Sequence, residues 1–344
     1  MADAVTRADA APLAAQVFRK LGPGGFHSGA ALAAQLGVSR NAIWKAVRGL
    51  KELRVNIHAV RNRGYRLAVP VAALDALRIR EGLDPATRAR LRRLEVAWQT
   101  DSTNTALFAR ADLPPGRCDV LLAEVQSAGR GRRGRAWLAA PGGSLCLSLG
   151  WAFAQMPRDI GSLGLVAGVC AAQALRAQLP PAVAAATPLQ LKWPNDLLCD
   201  SRKLGGILID MRAEAGGPGY VVIGIGVNVA LDEPARARIG ATGTEPCDLA
   251  SLQVPSLHRN QVAASLIQCL VQGLAVFERE GVKPFREEWQ RADALKGRAV
   301  TVTTVQDTTR GVARGIDADG ALLVETPGGV VRFVSGEVSV RAQA

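Results

Sequence analysis

Hydrophobic positions repeat at helical spacing in the first third of the chain. Leu13, Val17 and Leu21 share one face and predict a helix over 11–21. Ser28 is placed to cap a short helix over 30–36, Gly37 makes a turn, and Ser39 caps a third helix over 40–53. Ala33, Gly37 and Ile43 have helix-turn-helix spacing: a small residue where two helices touch, a glycine turn and an apolar anchor. Two short apolar runs, 56–60 and 65–69, flank Arg61-Asn62-Arg63-Gly64 and predict a β-hairpin with a basic tip, which makes the module a winged helix-turn-helix. His27 is read as helping to fix the turn near Ser28, and His58 as packing or facing solvent. An Ala/Leu/Arg-rich connector over 70–93 opens with Pro70 and is broken by Asp84-Pro85.

From Leu94 strands and helices alternate. Strands are predicted at 94–98, 120–124, 144–151, 189–193, 207–212 and 220–229, and helices at 105–111, 159–179, 261–280 and 285–295. The Gly216-Gly217-Pro218-Gly219 run joins two of these strands as a hairpin. Residues 180–188 are expected to be an extended surface loop, and 232–258 a loop-rich stretch. Trp289 is expected in the core. From Gly297 five short apolar runs, 298–305, 311–316, 321–325, 330–334 and 337–341, predict a small all-β barrel of SH3 or OB size. The expected class is α+β in four parts: 1–69 winged helix, 70–93 connector, 94–296 mixed α/β domain, and 297–344 barrel.

Charge sharpens the reading of the first part. Residues 1–70 hold eleven Lys/Arg against three Asp/Glu, a surplus of eight out of the chain's net +12. That is an electrostatic footprint for an anionic polymer, or a basic solvated domain. If the module binds DNA, the helix over 40–53 presents Arg40, Asn41, Trp44, Lys45 and Arg48, with Ser39 at its start and Arg61 and Arg63 on the wing. The longest apolar-looking stretch, 163–175, is too short to span a bilayer, and the start of the chain carries Asp3 and Asp9 without an apolar signal core. A cytoplasmic protein without membrane contact is expected. The six cysteines contain no C-x-x-C pair and three are in apolar runs, so buried reduced thiols are expected. None of the three histidines has a ligand partner at i+3 or i+4, which leaves histidine metal sites and His-based triads without support.

The chemistry concentrates at 126–137, Gln-Ser-Ala-Gly-Arg-Gly-Arg-Arg-Gly-Arg-Ala-Trp. Three glycines and four arginines fall between Gly129 and Arg135. Glycines let backbone N–H groups approach an anion, and arginine forks match carboxylate and phosphate oxygens. Mutual repulsion predicts a loop that is mobile when empty and ordered around an anion. The embedded G-x-G-x-x-G is no dinucleotide fingerprint, because no helix follows it. A solvated basic turn or an Arg-Gly nucleic-acid patch fits the same residues. Three other stretches carry polar groups. Asp101-Ser102-Thr103-Asn104 precedes a helix and suits a polar ligand head or an ordinary N-cap. Lys192-Trp193-Pro194-Asn195-Asp196 ends a strand with a cation, a ring, an amide and a carboxylate. Lys203 precedes Gly205 and Gly206 and sits at a pocket edge or in solvent. Gly224 and Gly226 inside a strand suggest a ligand lying against the backbone, and Asn228 needs a partner.

Together with Phe26-His27-Ser28-Gly29, 202–208, 314–317 and Ser335-Gly336-Glu337, these stretches resemble, in order and combination, the bacterial bifunctional biotin protein ligases, the biotin operon repressors. The resemblance implies a class II synthetase-like central domain and an SH3-like C-terminal barrel. It implies a reaction in two halves: biotin carboxylate attacks the α-phosphate of ATP, and a lysine of a biotin carboxyl carrier protein, usually that of acetyl-CoA carboxylase, then attacks biotinyl-5′-AMP. By the same resemblance Ser102, Thr103, Asn104, Gln126, Arg130, Gly131, Arg132 and Lys203 hold biotin. Arg132, Arg135, Trp137, Lys192, Asn195, Asp196 and Asn228 surround the adenylate, with Mg2+ on the phosphates and no protein metal site. Lys203, Arg132, Arg130 and Lys192 are the catalytic cations, and Asp196 is a conceivable base for the acceptor lysine. Operator DNA and an adenylate-bound homodimer are the further partners implied. Trp44 stands where a smaller polar residue is usual, the wing tip has an extra arginine, and the 180–188 and 232–258 loops are longer than usual, so DNA preference and coupling to the site stay open. Three functions follow: ligase and repressor, ligase alone, or a winged-helix sensor without catalysis.

Overall fold

The computed structural model describes residues 11–110, 112–213, 217–243, 245–252, 258–304, 306–335 and 338–342. Asp3, Asp9, Gly216, Gly336 and Glu337, and parts of the 232–258 stretch, lie outside the described residues.

The N-terminal module contains α1 (Leu13–Leu21), α2 (Gly29–Leu36), α3 (Arg40–Glu52), β1 (Ile57–Val60) and β2 (Gly64–Leu67). Local chemistry sets each boundary. The Ser28 hydroxyl accepts from Ala31 N at the start of α2, and Ser39 accepts from Ala42 N at the start of α3. Gly37 closes α2 in the left-handed region at φ 65°, where a side chain would be strained. Val17, Phe18, Leu21, Leu32, Ile43, Leu50, Ile57 and Leu67 form the module's own core. His27 exchanges backbone hydrogen bonds with Tyr65, so it adds a third strand-like segment to the wing hairpin.

The connector is no free tether. It forms α4 (Ala76–Glu81), capped by Asp75, and α5 (Pro85–Arg90), capped by Asp84. Leu74, Ile79 and Leu83 are buried in the central core. A buried ion pair fixes its entry: Arg259 Nη1 lies 2.8 Å from Glu124 Oε2, and the other Glu124 oxygen accepts from Leu74 N at 2.6 Å. Arg259 also donates to the carbonyls of Ala72 and Ser144.

The central domain is built on a seven-stranded mixed sheet. Its elements are β3 (Leu91–Thr100), α6 (Thr103–Phe108), β4 (Cys118–Gln126), β5 (Ser144–Phe153), α7 (Leu163–Arg176), α8 (Pro181–Ala186), β6 (Leu189–Lys192), β7 (Asp196–Cys199), β8 (Arg202–Ala213), β9 (Gly219–Asn228), α9 (Glu233–Gly240), α10 (Arg259–Glu280) and α11 (Arg286–Ala292). The strand order is β3-β4-β5-β9-β8-β7-β6; β3 and β4 are parallel and the other neighbours antiparallel. Strand alternation explains the two faces. Leu145, Leu147, Leu149, Trp151, Ile223, Ile225 and Val227 enter the main core beneath α7 and α10. The alternate positions are small or polar, Cys146, Ser148, Gly224 and Gly226, and the opposite face is hollow there.

Two loop expectations are corrected. Residues 180–188 contain the helix α8, because Pro181 fits the first helical turn and the alanines after it favour helix. Residues 232–258 contain α9, started by an Asp232 cap on Ala235 N, and a short 3-10 turn at Leu249–Leu252. By length and composition α10 could cross a membrane, unlike the shorter 163–175 stretch singled out in the sequence. Here its apolar residues Val262, Leu266, Ile267, Leu270, Leu274 and Phe277 are core. Trp289 of α11 is also buried.

The C-terminal domain holds β10 (Ala299–Thr303), β11 (Thr308–Ile316), β12 (Leu322–Thr326), β13 (Gly329–Phe333) and β14 (Ser339–Ala342), all antiparallel, in the order β13-β12-β11-β10-β14. Its buried Val300, Val302, Leu322 and Val324 are continuous with the central core. Trp193 Nε1 donates to Gly320 O at 3.2 Å, across the seam.

Candidate functional site

The hollow face of the sheet forms a cavity of about 710 Å³, counting its open mouth. Its floor comes from the start of α6. Ser102 caps that helix by accepting from Thr105 N. Thr103 donates its backbone N–H and its hydroxyl to Gln126 Oε1, at 2.8 and 3.0 Å. Ser148 Oγ lies 2.7 Å from Thr103 Oγ1 and 2.6 Å from Asn104 Oδ1, and so links the two. Ser102, Thr103, Asn104 and Ser148 are buried and Gln126 is half-buried, and the hydrogen bonds among them fix the floor.

The arginine loop forms the wall above. Gly131 N donates to Arg135 O, and Trp137 N to Gly129 O, which closes 129–137 into a tight loop. Trp137 lies flat on the sheet: a Cβ at Gly226 would sit 2.4 Å from its ring. A Cβ at Gly224 would sit 2.1 Å from Asn104 Oδ1. The strand glycines therefore make room for this chain's own Asn104 and Trp137, a closer fit than the expected bare backbone under a ligand.

Lys203, Arg132 and Arg130 line the cavity, and Lys192 stands near them. Lys203 Nζ is 2.7 Å from Asp196 Oδ1, and Arg132 Nη1 donates to Asn195 Oδ1 at 3.3 Å. Arg130 forks onto Asp210 at 3.1 and 3.3 Å. Burial lowers the proton affinity of Arg132, opposed by Asp196 and aided by Arg135 and Arg133. Burial likewise lowers that of Lys192, opposed by Asp196 and aided by Lys203, Arg135 and Arg341. Arg132 and Lys192 are thus desolvated and lie in the field of neighbouring cations, which a polyanion would relieve.

All the expected biotin residues, Ser102, Thr103, Asn104, Gln126, Arg130, Gly131, Arg132 and Lys203, line this one cavity. Arg135, Trp137, Asn195 and Asp196 line it too. Lys192 stands beside Asp196 across the β6–β7 turn, outside the lining. Asn228 is buried behind it, its amide donating to the carbonyls of Lys203 and Cys247, so it braces the Lys203 segment. The carboxylate of Asp196 is already engaged by Lys203.

The second basic surface lies on α3 and the wing. Ser39, Arg40, Asn41, Trp44, Lys45 and Arg48 are exposed, Trp44 to 51%. Ser39 is also spent as the N-cap, and Arg48 pairs with Glu52 at 3.1 Å. Arg61 projects from the tip, whereas Arg63 stacks on Phe26 at 4.2 Å.

Comparison with known proteins follows the same division. The model of the biotin/lipoate A/B protein ligase family matches residues 96–228, that of the biotin protein ligase C terminal domain 296–341, and an HTH domain 16–66. Over 323 residues the chain is 38% identical to the bifunctional ligase/repressor BirA of Salmonella typhimurium, covering 94% of this chain and 95% of that protein. The chain belongs to the bifunctional biotin ligase/repressor family. It is also 36% identical, over the same shares, to the bifunctional ligase/repressor BirA of Escherichia coli. The fold of this ligase/repressor matches that of a biotin protein ligase from Aquifex aeolicus, in complex with biotin and ATP, with a TM-score of 0.59 at 24% identity, covering 73% of this chain and 100% of that one.

Sequence reasoning missed three groups in this ligase/repressor: Ser148, Asp210, and the Glu124–Arg259 pair. Ser148 and Asp210 each stand on the cavity side of an alternating strand, and a polar residue at such a position was the available signal. Glu124 ends the strand predicted over 120–124, and nothing near it in sequence announces Arg259. The six cysteines are free, five of them buried. Burial pushes Cys146 and Cys199 up to about 12, so neither is a nucleophile at neutral pH.

Proposed function

We propose that the protein activates biotin with ATP, transfers it to a lysine of a biotin carboxyl carrier protein, and represses transcription through its winged helix. The convergence of Lys203, Arg132, Arg130 and Lys192 beside a polar, buried floor supports the ligase half. Thr103, Asn104 and Gln126 hold the polar head of biotin, with Ser102 and Gly131 beside them. Lys203 orients the carboxylate as it attacks the α-phosphate. Arg132, Arg135 and Lys192 neutralise charge as the P–O bond forms and pyrophosphate leaves. Trp137, Asn195 and Asp196 flank the adenylate, and Asn228 holds the Lys203 strand from behind. The acceptor lysine then attacks the anhydride carbonyl, releasing AMP. The arginine loop orders over the bound anion and shields the anhydride from water. Lys203 occupies Asp196, so this carboxylate serves better as a counter-ion than as a base.

Among the described residues no cluster of three or more His, Cys, Asp or Glu side chains could hold a metal. Magnesium arrives on the ATP phosphates, whose charge it screens. The acceptor is the carrier domain of acetyl-CoA carboxylase. Operator DNA lies along α3 and the wing, and a homodimer forms when the adenylate is bound, all in the cytoplasm. The domain limits 1–69, 70–93, 94–296 and 297–344 describe these roles, although the connector folds with the central domain.

Transfer of labelled biotin to a carrier domain in the presence of ATP tests the ligase reading. No transfer by the purified protein would end it. A gel shift on biotin-gene promoters, with and without biotinyl-AMP, tests the repressor reading. Weak affinity unchanged by the adenylate would leave a ligase alone.

A further inference from the structure

We infer that Asp210 is a positioning residue that ties the arginine loop to the floor of the cavity. One carboxylate holds both. Its two oxygens take the fork of Arg130, at 3.1 and 3.3 Å, from the loop. Oδ2 also accepts from Asn104 Nδ2 at 3.0 Å, from the floor. Asn104 is held on its other sides by Leu208 O and Ser148 Oγ. Arg130 also reaches Thr105 Oγ1 on α6 at 3.4 Å. Asp210 itself does not line the cavity, so it acts through these partners.

The arrangement has a mechanical consequence. With the loop over the cavity, the fork of Arg130 lies on Asp210. Closing the loop therefore fixes the carboxylate oxygen that orients the Asn104 amide. The floor is set for a ligand's polar head by the same contact that covers it. In reverse, a head group that engages Asn104 favours the closed loop. This inference rests on the reading of the cavity as a biotin site, but the latch is a property of the chain.

The test uses the full-length protein with Asp210→Asn and Asp210→Ala. Asparagine keeps the shape and an acceptor for Asn104, but loses the charged fork. Alanine loses both. The KM for biotin should rise about fivefold in D210N and about tenfold or more in D210A, while kcat falls less than twofold. Limited trypsin digestion, read by mass at 130–135, should cut both variants faster than the parent in the presence of biotin and ATP. A residue acting only by its charge would give the opposite sign, because removing a carboxylate near an anion site lowers KM. A lowered or unchanged KM, or parental trypsin resistance in both variants, would overturn the latch. If the parent itself fails to adenylate biotin, the biotin reading falls. Faster cleavage of the ligand-free variants at 130–135 then still decides for the latch, and equal cleavage against it.

Discussion

The protein carries two sets of cations that differ in their surroundings more than in their number. On α3 and the wing, Arg40, Lys45 and Arg61 stand in water on a small domain with its own core. In the central domain Arg132 and Lys203 are partly withdrawn from water around one cavity, Lys192 is withdrawn beside it, and Arg259 is wholly enclosed. Exposed cations are cheap to keep and give reversible, salt-sensitive attraction to a polymer of phosphates. Enclosed ones are costly unless paired: Lys203 is held by Asp196, Arg132 by Asn195 and Arg259 by Glu124, and such cations are effective against charge that develops in a dry site. The same residue types thus serve binding in one region and chemistry or construction in the other.

The largest effect should come from the most enclosed cation. Arg259→Met leaves Glu124 buried without its counter-charge and should cost about 3–5 kcal/mol in urea unfolding. The Glu124→Gln, Arg259→Met double variant should recover part of that loss. If Arg259→Met is neutral, the enclosed pair is not structural. Next, Arg132→Ala should slow adenylation, followed as pyrophosphate release, by about a hundred- to thousandfold, while Arg40→Ala leaves it unchanged.

A buried anion provides the converse. Burial pushes the Asp293 carboxyl up to about 6, against hydrogen bonds from Leu295 and Lys296, and its Oδ2 has no hydrogen-bond partner. An unfolded carboxyl titrates near its ordinary 3.8, so between the two values the folded chain binds more protons. Stability from this group is full below pH 4 and is lost as the pH rises to 6. Asp293→Asn, which keeps the acceptor for Leu295 N, should raise stability at pH 8 by about 2 kcal/mol and flatten that stretch of the pH profile.

The smallest effect belongs to the exposed set. Lys45→Ala should weaken DNA binding by about 1 kcal/mol and reduce the slope of log K against log salt by about one, with no change in ligation. An equal loss of ligation would mean that the two sets are not independent.

Much of this organisation is legible in residue order. Ser28, Gly37 and Ser39 punctuate the helix-turn-helix because caps and left-handed turns act within three or four residues. Strand alternation likewise places Leu145, Leu147 and Leu149 on one face. The residues that line the cavity were named from four separate stretches through a family resemblance. The misses have physical causes. The two prolines at 180 and 181 suggest a loop over 180–188, yet Pro181 suits a helix start and the alanines after it continue the helix. Gly224 and Gly226 suggest space for a ligand, but the atoms nearest them belong to Asn104 and Trp137, residues far away in sequence.

By itself the sequence determined what local forces determine: caps, turns, the two periodicities, the charge of the first domain and the inventory of cations. Only the tertiary structure decided which of those cations are enclosed and what each faces. Asp210 meets Arg130 and Asn104 across 80 and 106 residues. Glu124 and Arg259 come from elements joined only by the fold. Desolvation and pairing depend on neighbours in space, and sheet order and strand register, not chain order, supply those neighbours.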